Sequence, residues 1–392
     1  MSSKRFRQPC AYTITPVMRK IKPFFLLLTA SRLQDRMGSI SGVTMPGSKG
    51  LYRTGKEGRS MPLTIYGAGA IGGSLGAYLV RAGEAVLFVD NNREHVQAIN
   101  THGLKIDGVR GEFVVSAKAV LPSELSGPLE TVLLAVKSQH TVDALSQLLP
   151  HLTPASLVVS LQNGLNEEII AQRIGAERTI GAFINWAADY IGPGHIRHGG
   201  EGSLYLGELD GSISPRLVQL QKTLSAFLPV QITSNIWGYL WAKQVYGSLL
   251  FATALADLPV YEVVADPVAH AVLGDLIREA MQVPAALGIS VESFDEFDPL
   301  LFQQHRDEEA LEKIATHFRG QIKTKTGVWR DIAVRRRRTE VEGIIGMTVQ
   351  KGEALGLSLP LHRQLIRLIH ELEEGKRSMD LQNFQVLGAI QS

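Results

Sequence analysis

From residue 62 to about residue 234, short apolar runs alternate with amphipathic stretches; beyond that, only helical spacing remains. The runs PLTIY, AVLFVD, ETVLLAVK and ASLVVSLQN read as buried strands, the last three ending in polar residues. An Ala/Leu-rich segment between the first two reads as a helix. This βαβ alternation predicts a parallel sheet covered by helices. The stretch GPGHIRHGGEGSLYLGE predicts turns and strands closing this domain. After VQITSNIW the strand signals stop. HAVLGDLIREAMQVPAALG, DEEALEKIATHFRG and LHRQLIRLIHELEEG are amphipathic helices, and the segment from Thr324 to Gly356 is expected to be another. The pattern divides the chain into residues 61–234, an α/β domain, and residues 235–392, an all-helical domain.

Chemistry enters at the first turn. Gly67-Ala68-Gly69-Ala70-Ile71-Gly72 follows the first strand and opens the first helix. In such a motif Gly67 permits the tight turn, Gly69 lets backbone approach a pyrophosphate, and Gly72 lets helix and strand pack closely. The helix N-terminus then offers free N–H groups to phosphates. This predicts a Rossmann dinucleotide site at Gly67–Gly72. Asp90, closing the second strand, sits where an acid binds the ribose 2′-hydroxyl, which leans toward NADH. Arg93, three residues on, could instead hold the 2′-phosphate of NADPH. Lys137 and Asn163 follow later strands, and ligands of open α/β sheets lie beyond those strand ends. His195 and His198, with no third ligand evident, are read as structural or exposed rather than as a metal pair.

The helical half carries two charged residues on apolar stripes. At 100° per residue Lys243 shares a face with Ile236, Tyr239, Leu240, Tyr246, Gly247, Leu250 and Ala254. Such a lysine must snorkel, find a carboxylate, or shift its pKa down. Glu340 shares a face with Trp329, Ile332, Gly343, Ile344 and Met347, and with Arg336, a rival partner. The economical expectation is that Lys243 and Glu340 face one cleft and offset each other's burial, either as a structural ion pair or as an acid–base pair beside a cofactor.

Composition narrows the setting. The chain has 392 residues, 40 Lys/Arg and 38 Asp/Glu. Residues 1–60 hold 12 of the basic and 2 of the acidic residues, leaving 28 and 36 in the remainder. The body is therefore acidic. The leader is expected to be a disordered basic extension or upstream sequence from a misassigned start, with a targeting peptide as the alternative. Arg335 to Arg338 would point to all sides of a helix, so they predict a solvated run and no nucleic-acid partner. No apolar run is long enough for a membrane span. Cys10 is the only cysteine, which excludes a disulfide framework and a cysteine metal site and fits a reducing, cytoplasmic compartment.

Taken together, GAGAIG, AVKSQ, LQNG, LWAKQ, RRTEVEGIIG and GLSLPLHRQLIRLIHELEEG resemble the ketopantoate reductase (2-dehydropantoate 2-reductase) family from Met61 to about Gly375. The resemblance implies a Rossmann domain followed by a helical domain, with a small-molecule 2-oxo acid and the nicotinamide in the cleft between them. It implies that Lys243 is the catalytic lysine and Glu340 the active-site glutamate, with Asn163 and Lys137 on the cofactor side, and it leans toward NADPH. A homodimer would be an ordinary assembly. The chain also departs from the pattern. Gly247 and Phe251 stand where the family usually carries asparagines that bind the substrate, and an expected serine falls near Gly327. Tyr246 and Ser248 are expected to substitute in part. These departures predict a larger, more apolar substrate pocket. Two other readings stand beside this one: a dehydrogenase of the same fold acting on another apolar hydroxy compound, and a non-catalytic dinucleotide sensor, which would need the glycine turn but not the acid–base pair.

Overall fold

A computed structural model describes residues 62–391 apart from Ile322, and the basic extension expected over residues 1–60 lies outside the described residues. The first half contains strands β1 (Leu63–Tyr66), β2 (Val86–Val89), β3 (Leu104–Gly108), β4 (Phe113–Val115), β5 (Lys118–Val120), β6 (Leu129–Leu134), β7 (Leu152–Ser160), β8 (Thr179–Ile184), β9 (Ala187–Gly192), β10 (His195–Gly200), β11 (Leu204–Glu208) and β12 (Val230–Ile232). Its helices are α1 (Ala70–Arg81), α2 (Arg93–His102), α3 (Thr141–Leu148), α4 (Glu167–Ile174) and α5 (Pro215–Leu224).

Eight strands form the main sheet in the order β12-β11-β8-β7-β6-β1-β2-β5. From β5 through β8 every neighbouring pair is parallel, and only β11 runs against β8. The chain starts at β1, moves outward to β2 and β5, then returns to the other side of β1 with β6, β7 and β8. The reversal between β1 and β6 leaves a crevice beyond their carboxyl ends. The smaller sheet, β4-β3-β10-β9, covers the other side of α1. Helix α1 is thus enclosed between two sheets, and eight of its 12 residues are buried. This is the Rossmann-type α/β arrangement that the sequence pattern predicted.

The second half is helical: α6 (Ile236–Thr253), α7 (Val260–Ala265), α8 (Pro267–Ala286), α9 (Pro299–Gln303), α10 (Asp307–Arg319), α11 (Gly327–Ala333), α12 (Met347–Ala354), α13 (Pro360–Glu373) and α14 (Gln382–Gly388). Helix α6 is apolar on nearly every side and 13 of its 18 residues are buried, as expected of a helix at the centre of a core. The Asn235 side chain caps its start by accepting from Gly238 N at 3.1 Å. A buried polar chain sets its register. Ser248 Oγ meets His362 Nε2 at 2.9 Å, and His362 Nδ1 meets Glu279 Oε1 at 2.8 Å, which links α6, α13 and α8. Ser248 therefore points into the core, away from the role of substrate ligand expected for it.

The helix expected across Thr324–Gly356 is broken. Helix α11 ends at Ala333, residues 334–340 are irregular, and a π-helical turn spans Glu342–Gly346. The arginine run explains the break. Four adjacent like charges repel along a helix, and Arg337, six residues past Asp331, finds that carboxylate only because the chain turns back. Arg335 Nη1 reaches Asp331 Oδ1 at 2.8 Å and Arg337 Nη2 reaches it at 3.0 Å. Arg336 takes a left-handed φ of 49° and is exposed, so it neither shares a helical face with Glu340 nor partners it.

Candidate active site

A cleft of about 1580 Å³ opens at the carboxyl ends of β1 and β6 and is walled on its far side by α6, α11 and the turn before the π-helix. The glycine turn forms its floor. Gly67 has φ 99°, and a Cβ there would lie 2.9 Å from Ala135 C and Val136 N, so only glycine fits. Gly72 is equally constrained: its Cβ would lie 2.1 Å from Gly67 O. Gly69, by contrast, has open space where a Cβ would stand. It is also the N-cap of α1 with no side chain capping it, so the first N–H groups of the helix are left for a ligand. An open backbone cradle at a 12-residue helix N-terminus suits a pyrophosphate. Gly67, Gly69, Ala70 and Ile71 line the cleft, whereas Ala68 and Gly72 shape the turn from beneath. Asp90 lines the cleft too. Its two oxygens accept from Ala68 N and Asn92 N, each at 2.9 Å, which orients the carboxylate beside the turn.

Lys243 reaches the opposite wall of the cleft from α6. Its ammonium donates to the carbonyl of Ile184, the last residue of β8, and lies 5.6 Å from the Phe183 ring centre. Burial lowers its pKa from the usual 10.5 to about 8; Asp295 and, after it, Glu340 hold it from falling further. Of the three outcomes foreseen for this lysine, a lowered pKa applies, with a backbone carbonyl as its direct partner.

Glu340 also lines the cleft, but its ion pair is with Lys137, at 3.5 Å. Lys243 and Glu340 do face one cleft, but of the two forms expected for the pair the direct ion pair is corrected: the broken helix carries Glu340 toward the end of β6, where Lys137 meets it. Asn163 follows β7 in the same wall. Its carbonyl accepts from Ser138 Oγ and, at 2.7 Å, from Asn166 Nδ2.

Gly247, Phe251 and Gly327 all line the cleft. A Cβ on Gly247 would meet Ile344 Cγ2 at 3.2 Å and nothing else, and one on Gly327 would meet nothing. Leu250, Phe318, Val328 and Ile344 complete an apolar wall. Tyr246 keeps its hydroxyl engaged, donating to Glu296 Oε1 at 2.6 Å. His195 and His198 lie apart from this chemistry. His195 pairs with Asp107 at 2.9 Å, and His198 is buried among Tyr78 and Phe227. Among the described residues no three His, Cys, Asp or Glu side chains gather as a metal site.

Sequence reasoning missed several cleft residues. Asn185 follows β8 just as Lys137 follows β6, so the strand-end rule could have found it. Asp295 and Glu296 lie in SFDEFDP, between α8 and α9, where no periodicity marks them. Asp189 on β9 pairs with Lys323 and, at 3.4 Å, with Arg330, tying the small sheet to the helical half across the cleft. No pattern in the sequence signals that contact.

A dinucleotide cradle facing a lysine across a cleft defines an NAD(P)-dependent oxidoreductase, and comparison with known proteins agrees. The ketopantoate reductase PanE/ApbA family model matches residues 63–211, and the model for the C-terminal part of that family matches residues 235–373. The chain belongs to the ketopantoate reductase family. The 2-dehydropantoate 2-reductase of Archaeoglobus fulgidus is 28% identical over 320 residues, covering 81% of this chain and 99% of the relative. The crystal structure of a PanE/ApbA family ketopantoate reductase from Ralstonia eutropha JMP134 superposes with a TM-score of 0.68 at 29% identity, covering 81% of this chain and all of that one. D-mandelate dehydrogenase in its ternary structure with NADH and anilino(oxo)acetate superposes with a TM-score of 0.70 at 25% identity, covering 80% of this chain and 99% of that one. No helix among the described residues is long and apolar enough to cross a membrane.

Proposed function

We propose that the chain uses NADH to reduce a 2-oxo acid with an apolar side chain to the 2-hydroxy acid, and that Lys243 is the proton donor. The observation that carries this reading is the Lys243 ammonium, held on the Ile184 carbonyl in the same cleft as the glycine turn. The cofactor supplies the hydride to C2 when bound. As C2 is reduced, its oxygen gains negative charge, and a fixed ammonium stabilises that charge because it needs no reorganisation. Lys243 Nζ then gives its proton to that oxygen and regains one from water in the cleft. Its pKa of about 8 keeps it charged at neutral pH yet makes it a readier donor than a free lysine. Glu340, held by Lys137, orients the substrate and the nicotinamide ribose.

Asp90 supports NADH over NADPH, because its carboxylate repels a 2′-phosphate. The apolar wall at Gly247, Phe251 and Ile344 supports a branched or aromatic side chain in place of one bearing a hydroxyl, since these three positions offer a hydroxyl no polar side chain. The likeness to D-mandelate dehydrogenase, a protein described with NADH and anilino(oxo)acetate, points the same way. The test is absorbance at 340 nm with the full chain, NADH and NADPH in turn, against ketopantoate, 3-methyl-2-oxobutanoate and phenylglyoxylate. Turnover of an apolar 2-oxo acid above ketopantoate, lost in Lys243→Ala, supports the reading. Dinucleotide binding without turnover of any of them would favour a sensor.

A further inference from the structure

The irregular segment between α8 and α9 contains a tight turn whose two ends are anchored and whose two middle residues are acidic. Phe294 and Phe297 exchange backbone hydrogen bonds at 3.0 and 2.7 Å, and both rings are buried. The Phe294 ring packs 4.7 Å from that of Phe183 and 5.5 Å from that of Tyr246. Phe183 is the residue before Ile184, whose carbonyl accepts the Lys243 ammonium. The turn is therefore fastened to the strand end that holds the lysine.

Its first acid, Asp295, has φ 41° and lines the cleft. Asn185 Nδ2 donates to Asp295 Oδ2 at 2.6 Å, and Ser203 Oγ donates to Oδ1 at 2.5 Å. Asn185 N in turn donates to Ser203 O at 2.9 Å. Asn185 and Ser203 belong to the sheet half and Asp295 to the helical half. One carboxylate thus joins the halves at the residue next to the lysine's acceptor.

We propose that Asp295 is a positioning residue for Lys243: it holds Asn185 and Ser203 so that the neighbouring Ile184 carbonyl meets the ammonium, and it places a carboxylate in the same cleft. This rests on the reading of Lys243 as proton donor. The other acids near the lysine have ion-pair or hydrogen-bond partners of their own. Glu296 is held by the Tyr246 hydroxyl and by His317, which stands 3.4 Å away, and Glu340 is paired with Lys137. Among the described residues Asp295 has no cation within ion-pairing distance; its two oxygens accept from neutral groups, so its charge is left to act on the lysine.

Asp295→Asn removes the charge and keeps two hydrogen bonds: its Oδ1 still accepts from Asn185 Nδ2, while its Nδ2 donates to Ser203 Oγ, which then accepts. Asparagine has the same shape, and it tolerates positive φ at least as well as aspartate does. The pH profile of kcat for 2-oxo acid reduction is measured for the full chain, for Asp295→Asn and for Lys243→Ala, with NADH affinity followed by fluorescence quenching as a check on the fold. The expected result is that Asp295→Asn keeps its NADH affinity, loses roughly tenfold in kcat at neutral pH, and moves the alkaline fall in rate down by about half a pH unit. Ser203→Ala, which removes one hydroxyl and no charge, should lower kcat a few-fold and leave the midpoint of that fall in place. An unchanged kcat and midpoint in Asp295→Asn, with Lys243→Ala inactive, overturns the inference and leaves the proton donor standing. Full activity in Lys243→Ala would instead overturn the reading beneath it.

Discussion

The alkaline limb of the rate profile is the sharpest consequence of the site. The drop in Lys243 from 10.5 to about 8 corresponds to roughly 3 kcal/mol at about 1.4 kcal/mol per pKa unit. The drop matters because it brings the titration into a range where the protein can be assayed. If Lys243 is the proton donor proposed above, reduction needs the ammonium. Its rate should be flat below pH 7, half-maximal near pH 8, and fall about tenfold per unit above that. The reverse reaction needs the free amine, so its rate should rise through the same midpoint and level off. Lys243→Arg replaces the titrating group with one that stays charged to beyond pH 12. Its residual reduction rate, lower by about 10²–10⁴, should show no fall in this window. The kcat/KM for the oxo acid and for the hydroxy acid, followed at 340 nm from pH 6 to 10, supplies the measurement, because kcat/KM reports the groups of the enzyme before the acid binds. A reduction rate that stays flat to pH 10 in the wild-type chain, or an alkaline fall that persists in Lys243→Arg, would refute the assignment of the donor.

Three further outcomes follow from the geometry. Gly69→Ala should leave the melting temperature of the free protein unchanged, since the new Cβ meets nothing within 4 Å, while weakening NADH at least tenfold by calorimetry because that space belongs to the pyrophosphate. Asp90→Ala should raise the kcat/KM ratio of NADPH to NADH by roughly tenfold or more by removing the carboxylate that repels a 2′-phosphate; an unchanged ratio would transfer the selection to Arg93. Glu279→Ala strands His362 Nδ1 at 2.8 Å and the backbone N–H groups of His362 and Leu361 at 2.9 and 3.1 Å. It should cost about 3–5 kcal/mol in urea denaturation, and a loss below about 1 kcal/mol would show that the buried chain does not hold α6 in place.

Much of this protein was legible in the chain because it rests on local chemistry. The glycine turn needs positive φ and close approach at fixed spacings, so GAGAIG announces itself. Buried strands read as apolar runs, and the strand-end rule carries Lys137 and Asn163 to the cleft without knowledge of the helical half. Lys243 stands out because a charge on an apolar stripe is costly wherever it occurs. Its partner was not legible. The stripe argument assumed that Glu340 sat on a continuous helix, and charge repulsion along Arg335–Arg338, relieved by folding back onto Asp331, ended that helix at Ala333.

What only the tertiary structure decided is the set of contacts between distant segments. The Lys243 ammonium meets a backbone carbonyl 59 residues away, and Asp295 meets an asparagine 110 residues before it. No periodicity encodes such pairings, because they depend on how the sheet half and helical half are apposed, and irregular turns such as Phe294–Phe297 have no repeat to read. The sequence by itself determined a glycine turn shaped to suit a dinucleotide and the lysine that must be paired or perturbed. The fold decided which groups surround that lysine, and they set its proton affinity, because burial and charge act through space rather than along the chain.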